Sequence, residues 1–137
     1  MLNKNEIYET IQMIDNQNLD VRTITMAVSL FDCISDSKAE TAERVYNKIY
    51  RLAKGLVATG DEIAGEYGVP IVNKRVSVTP VSLIGAASGG YLEIAAAMDK
   101  VAEDIGIDFI GGYGALVHKS AAPFELDFLD TVPEALA

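Results

Sequence analysis

Three short apolar segments, separated by stretches with helical periodicity, leave this chain few possible architectures. The segments cover residues 22–31, 70–79 and 107–110, and polar or glycine-containing turns follow them. A strand that returns to the same sheet through a helix makes a right-handed parallel crossover. The order therefore predicts an α/β fold with a mainly parallel sheet and crossover helices.

Apolar side chains that recur every three or four residues predict the helices. In residues 3–17 the recurring side chains are Ile7, Ile11 and Ile14, which would form one stripe. The other predicted helices cover residues 37–68 with a break at Gly60, residues 91–105, and residues 124–137. Only three strands are predicted, so the edges of the sheet would lack partners. This favours part of a larger fold, or a sheet that another copy completes.

The first strand segment alternates large and small side chains rather than apolar and charged ones. Because neither set is charged, we expect both faces of this strand to be covered, as is typical of α/β proteins. The large set is Ile24, Met26, Val28 and Leu30, and the small set is Thr23, Thr25, Ala27 and Ser29.

Length and charge restrict the class of protein. With 137 residues, half of them hydrophobic, the chain is expected to form a single α/β domain or a fragment of one. Its net charge of −9 disfavours nucleic acid and anionic membranes as partners. The only cysteine, Cys33, cannot form an intrachain disulfide. No stretch is of signal-peptide type, and no apolar run approaches the ~20 residues of a membrane span, so a cytoplasmic location is predicted.

The segment between Pro70 and Pro80 is the main candidate for a binding site. Hydrogen-bonding side chains, two of them cationic, interrupt its Ile and Val residues. Arginine offers a fork of donors and lysine a point charge, and both suit a carboxylate or a phosphate. Ligands of parallel sheets bind beyond the C-terminal strand ends. The alternative is a strand whose cations form internal salt bridges. The predicted ligand-binding residues are Asn73, Lys74, Arg75, Ser77 and Thr79.

Two other strand ends carry candidate residues. Gly111 and Gly112 follow the third segment, where backbone amides could approach an anion, although a tight bend is an equal explanation. Asp32 and Cys33 follow the first segment. A thiol there could act as a nucleophile if its pKa were lowered, but free cysteines are more often buried and inert. Asp32, Cys33 and Lys74 are the candidates for catalysis, and neither a metal nor a cofactor is assigned.

Three blocks of sequence resemble one known family. They span residues 22–33, 60–84 and 105–119, and the second contains Gly-Val-Pro-Ile-Val-Asn-Lys-Arg-Val-Ser-Val-Thr-Pro. Together they look like the N-terminal portion of the domain-of-unknown-function family 711, also called uncharacterised protein family 0210. The resemblance implies a protein several times longer, with an α/β barrel similar to that of the pyruvate formate-lyase-like glycyl radical enzymes. This chain would supply the opening segment of that barrel. The resemblance implies no established reaction.

Two functions are consistent with these patterns. The first is part of an enzyme that binds a small anionic metabolite at the C-terminal strand ends. The second is a non-catalytic metabolite-binding or regulatory protein that assembles with itself or with a partner. In either case the open sheet predicts a homo-oligomer or association with the remainder of a larger barrel.

Overall fold

The computed structural model describes residues 3–16 and 21–137, except for the side chain of Ile14. Within these residues helices alternate with three strands, and a short 3₁₀ helix lies at Phe31–Cys33. The α/β class predicted from the sequence is confirmed. The helices and strands are α1 (Lys4–Asp15), β1 (Thr23–Val28), α2 (Lys38–Ala53), α3 (Leu56–Tyr67), β2 (Asn73–Val78), α4 (Val81–Gly85), α5 (Tyr91–Ile105), β3 (Phe109–Gly111) and α6 (Pro123–Ala135).

The three strands form one parallel sheet in the order β1-β2-β3. Residues that pair across the sheet form rows that run perpendicular to the strands. One row is Thr25, Arg75 and Phe109, and the next is Ala27, Ser77 and Gly111. Helices α2 and α3 connect the first two strands, and α4 and α5 connect the second pair.

The core lies on one side of this sheet, where α2 and α5 pack against each other. Val28, Val76 and Val78 point from the strands into this core. Phe128 of α6 closes one end, with its ring 5.4 Å from that of Tyr91 in an edge-on contact. The side of the sheet beneath the helices is therefore the covered face.

The opposite side carries none of the connecting helices α2 to α5, and Thr23, Thr25 and Ala27 of β1 are exposed there, so the prediction that both faces of β1 are covered is wrong. The reason is the strand order. Right-handed crossovers between strands in the unreversed order 1-2-3 place every connecting helix on the same face. We call the uncovered side the open face. Its strand residues are Thr23, Thr25, Ala27, Asn73, Arg75, Ser77, Phe109 and Gly111.

Two helix predictions also need correction. The predicted break at Gly60 does not occur, because α2 ends at Ala53 and Gly60 lies buried inside α3. A Cβ atom at Gly60 would come within 2.9 Å of Ile24 Cδ1, so this glycine lets α3 approach the sheet closely. Strand β1 is shorter than predicted, since the chain turns after Val28 into the 3₁₀ helix.

Helix α1 begins where the sequence predicts it, at a capping box. The side chain of Asn3 accepts the N–H of Asn5, and Glu6 accepts the N–H of Asn3. Ile7 and Ile11 of the predicted stripe are exposed. The side chain of Ile14 lies outside the described residues, as do residues 17–20.

Candidate functional site

The pleat of β2 sends the neighbouring residues Lys74 and Arg75 to opposite faces of the sheet. Lys74 lies on the covered face, where Gly60 of α3 leaves room for its aliphatic chain. Its Nζ is 2.7 Å from Oδ1 of Asp61, and its side chain is only 15% exposed. Of the two alternatives for this strand, ligand binding and an internal salt bridge, the structure shows the salt bridge for Lys74.

Arg75 lies on the open face without a carboxylate partner among the described residues. Its guanidinium carbon is 5.7 Å from the centroid of the Phe109 ring, which is a cation–π distance. Its Nε is buried and has no hydrogen-bond partner within the described part of the chain. A buried donor without an acceptor costs about 1–3 kcal/mol. Because solvent does not reach this nitrogen, an acceptor would contact it only if a neighbouring side chain moved aside, and the new hydrogen bond would then recover that cost.

The row next to Arg75 contains only small side chains. Ala27, Ser77 and Gly111 pair across the three strands, about 7 Å further toward the C-terminal strand ends. Because none of them is bulky, this row leaves a shallow floor beside Arg75 and Phe109. The floor lies next to the C-terminal ends of the strands, beyond which parallel α/β proteins bind ligands.

The predicted binding residues do not all lie at one end of the sheet. Asn73 begins β2 opposite Thr23, whereas Thr79 follows its last residue, about 20 Å away along the strand. The oxygen Oγ1 of Thr79 accepts the N–H of Leu30 at 3.0 Å, so this hydroxyl holds the turn after β1. The prediction that Asn73 and Lys74 lie at the C-terminal end of their strand is therefore wrong, because both lie at the start of β2. Strand periodicity shows which side chains share a face, but it does not show at which residue a strand begins.

The glycine segment serves mainly to connect elements. Gly112 has a φ of 125°, and a Cβ there would lie 2.7 Å from the carbonyl oxygen of Val78. The carbonyl of Gly112 accepts the N–H of Val81 at 2.9 Å, and that of Gly114 accepts the N–H of Ser82 at 3.2 Å. These contacts form a tight bend, which was the alternative to anion binding for this segment. Binding of an anion by the amides of Gly111 and Gly112 stays a prediction.

Asp32 and Cys33 lie away from the open face. Cys33 belongs to the core cluster, and burial, followed by the negative charge of Asp32, raises the pKa of its thiol. A raised pKa disfavours a nucleophile, which needs the thiolate. Asp32 forms an ion pair with Lys48, and their hydrogen bond lowers the pKa of Asp32. These residues line a cleft of about 400 Å³ together with Arg44, Asn47 and Arg51 on the flank of α2.

Phe109 is a candidate site residue that the sequence did not reveal. It stands in the row of Arg75, and the residue is 58% exposed although it is aromatic. Phe109 lies within the third strand predicted at residues 107–110. Its position beside Arg75, however, could be known only from the register in which β3 pairs with β2. The small set of β1 was a usable signal, because it marks the face that carries no helix.

No three His, Cys, Asp or Glu side chains in residues 3–16 and 21–137 are grouped so that they could hold a metal ion. Among the helices in these same ranges, none combines the length and the apolar character needed to cross a membrane.

The fold and this face define a parallel α/β protein in which the helices that connect the strands, α2 to α5, cover one side of the sheet. The family model of the uncharacterised proteins described as "Uncharacterised ACR (DUF711)" matches residues 12–137, and the chain belongs to this family. The resemblance found in the sequence is therefore confirmed at the level of the family.

Curated relatives agree with this assignment, and the three described here carry the name UPF0210 protein. The relative from Clostridium perfringens is 50% identical over 139 residues, which cover 100% of this chain and 31% of the relative. The relative from Streptococcus thermophilus is 56% identical over 134 residues, which cover 96% of this chain and 30% of that protein. A relative from Bifidobacterium longum is 51% identical over 141 residues, which cover 100% of this chain and 31% of the relative. The chain thus spans less than a third of these relatives.

Proposed function

We propose that the open face binds a small anionic metabolite and that Arg75 is the main contact for its acidic group. The observation that carries this proposal is the buried Nε of Arg75, which has no acceptor among the described residues, on a face that otherwise holds no charged strand residue. The guanidinium donates hydrogen bonds to a carboxylate or phosphate oxygen. The hydroxyls of Thr25 and Ser77, neighbours of Arg75 on this face, can orient the rest of the ligand.

The charge of the face limits the class of ligand. The strand residues of the open face supply one positive charge, from Arg75, and the whole chain carries −9. A ligand with several phosphates needs more cations than this face provides. One carboxylate or one phosphate ester therefore fits the open face better than a diphosphate or triphosphate.

The part of the relatives that this chain does not cover, about two thirds of their length, would complete the site. In our proposal, the segments corresponding to that length complete the sheet into a barrel similar to that of the pyruvate formate-lyase-like enzymes, inside a cytoplasmic protein. The open face would then line the interior of the barrel. This is consistent with the small side chains of the Ala27, Ser77 and Gly111 row, which leave space there.

A second candidate function is a non-catalytic metabolite-binding or regulatory protein that assembles through its sheet edges. The buried Cys33 with its raised pKa favours this candidate, because the one thiol of the chain is held in the core rather than activated as a nucleophile. In the three-stranded sheet, the outer edges of β1 and β3 are unpaired among the described residues. Such edges can pair with a second copy or with the remainder of a barrel.

Side-chain NMR of the isotope-labelled chain tests the main proposal. The Nε–H signal of Arg75 is identified by its loss in Arg75→Gln and followed while sodium acetate or inorganic phosphate is added at constant ionic strength. We expect this signal to shift in a saturable way, since its Nε has no acceptor among the described residues of the free protein.

Arg51→Gln is the matched control, because it removes one positive charge from the cleft on α2 and leaves the open face unchanged. It should bind the added anions as the wild type does, whereas Arg75→Gln should not. An Arg75 signal that stays in place up to high anion concentration would contradict the proposal.

A further inference from the structure

Phe109 is an unusual residue for its position. The residue is 58% exposed on a face whose other strand residues are small or polar. Exposed aromatic side chains often mark places where a ligand removes apolar surface from water. The register places this ring directly beside the guanidinium that we assign to the anion.

The ring lies low over the sheet rather than standing away from it. A Cβ atom built on Gly111, two residues further along the same strand, would be 3.1 Å from Cε1 of Phe109. The ring therefore leans over Gly111, toward the floor formed by the small row. Any larger residue at position 111 would push the ring away from this floor.

We propose that the ligand of the open face is a monoanion that carries an apolar or aromatic group, and that Phe109 determines this specificity. The inference rests on the proposed function of Arg75. With the guanidinium carbon 5.7 Å from the ring centroid, an acid held by Arg75 has its substituent within reach of the ring. A methyl group leaves most of the ring in water, whereas a phenyl or longer alkyl group covers it. The small side chains of Ala27 and Ser77 leave room for that group.

A series of carboxylates tests this specificity. The dissociation constants of acetate, butyrate and benzoate are measured from the Arg75 Nε–H signal in the wild type and in Phe109→Ala, Phe109→Tyr and Phe31→Ala. We expect benzoate to bind about ten-fold more tightly than acetate, the factor expected when roughly 50–60 Å² of apolar surface leaves water. Phe109→Ala should reduce this ratio to about two-fold, and Phe109→Tyr should restore it.

Phe31→Ala is the matched control, because Phe31 is also 58% exposed but lies on the 3₁₀ helix after β1. It should keep the wild-type ratio. Using the ratio separates specificity from a general loss of binding, which would weaken acetate and benzoate alike. The amide spectrum of each variant shows whether the fold is intact.

The outcomes distinguish this inference from the proposed function. Equal affinities for acetate and benzoate in the wild type would overturn the inference and leave the anion site in place. A benzoate preference that persists in Phe109→Ala would also overturn it. If neither carboxylate moved the Arg75 signal, the proposed function would fail, and the inference with it.

Discussion

Lys74 and Arg75 are adjacent cations in one strand, yet the two faces of the sheet use them differently. On the covered face, Lys74 meets Asp61 of α3 at 2.7 Å and lies close to Gly60. On the open face, Arg75 meets a ring and no carboxylate among the described residues. The comparison teaches that a cation in a strand becomes a binding candidate only when its own face lacks an internal partner. Composition alone does not separate the two cases.

The largest expected difference between the two faces is in the free energy of unfolding that is lost when a phenylalanine is removed from each. Phe128 is fully buried on the covered side, whereas Phe109 is largely exposed on the open face. Phe128→Ala should lower the free energy of unfolding by about 3–5 kcal/mol, because it leaves a cavity in the core. Phe109→Ala should cost no more than about 1 kcal/mol. Urea unfolding measures both, and similar losses would show that the open face is also packed.

The next largest effect is expected at the bend formed by Gly112, directly after β3. Gly112→Ala places a Cβ 2.7 Å from the carbonyl oxygen of Val78 at a positive φ, so we expect a loss of about 2–3 kcal/mol. Gly114→Ala is the control, since a Cβ atom at Gly114 would meet open space, with no neighbouring group within 4 Å. Thermal unfolding of the two variants should separate them clearly. If Gly112→Ala were as stable as the control, the close approach of the bend to Val78 would be incorrect.

Removing each cation of the pair should have a smaller and asymmetric effect. Lys74→Met should lower the free energy of unfolding by about 1 kcal/mol, because it breaks a partly buried ion pair with Asp61. Arg75→Met should leave stability unchanged or raise it slightly, since it removes a buried donor that lacks an acceptor among the described residues. Chemical denaturation under identical conditions gives the comparison. A larger loss for Arg75→Met would mean that Arg75 has a structural role.

The smallest effect is a difference in acid sensitivity. The hydrogen bond from Lys48 holds the pKa of Asp32 below its ordinary value of 3.8. A carboxyl whose pKa is lowered on folding stabilises the protein above the unfolded pKa and loses this contribution as the pH falls through the folded value. Asp32→Asn should therefore be less stable than the wild type at neutral pH and match it in strong acid. Because Asp32 lies away from the open face, acetate binding should not follow this profile, and its own pH dependence should reflect only the protonation of acetate.

The sequence predicted the elements more accurately than their arrangement. The succession of strands and helices along the chain, including the helix at residues 91–105, could be predicted because their periodicities are local. The open face could not, because it depends on strand order, and no local pattern reveals whether β2 lies between β1 and β3. The small side chains of β1 indicated an unusual face, but we interpreted them as a second buried side.

The candidate site could be predicted in part for the same reason. Arg75 and Ser77 were chosen from their types, and alternation alone places both on one face. The separation of Lys74 from Arg75 also follows from the period of two, but the partner Asp61 depends on how α3 docks. The neighbour Phe109 is 34 residues further along the chain, and only the strand register brings it to Arg75.

The central claim is that the open face binds an anion through Arg75 while the cation on the covered face takes no part. The most direct measurement is one NMR titration with benzoate that follows the Nε–H signal of Arg75 and the Cε–H signals of Lys74 in the same sample. Our account predicts a saturable shift at Arg75 and no change at Lys74, whose ion pair with Asp61 is already formed. Equal shifts at both residues, or none at Arg75, would contradict it.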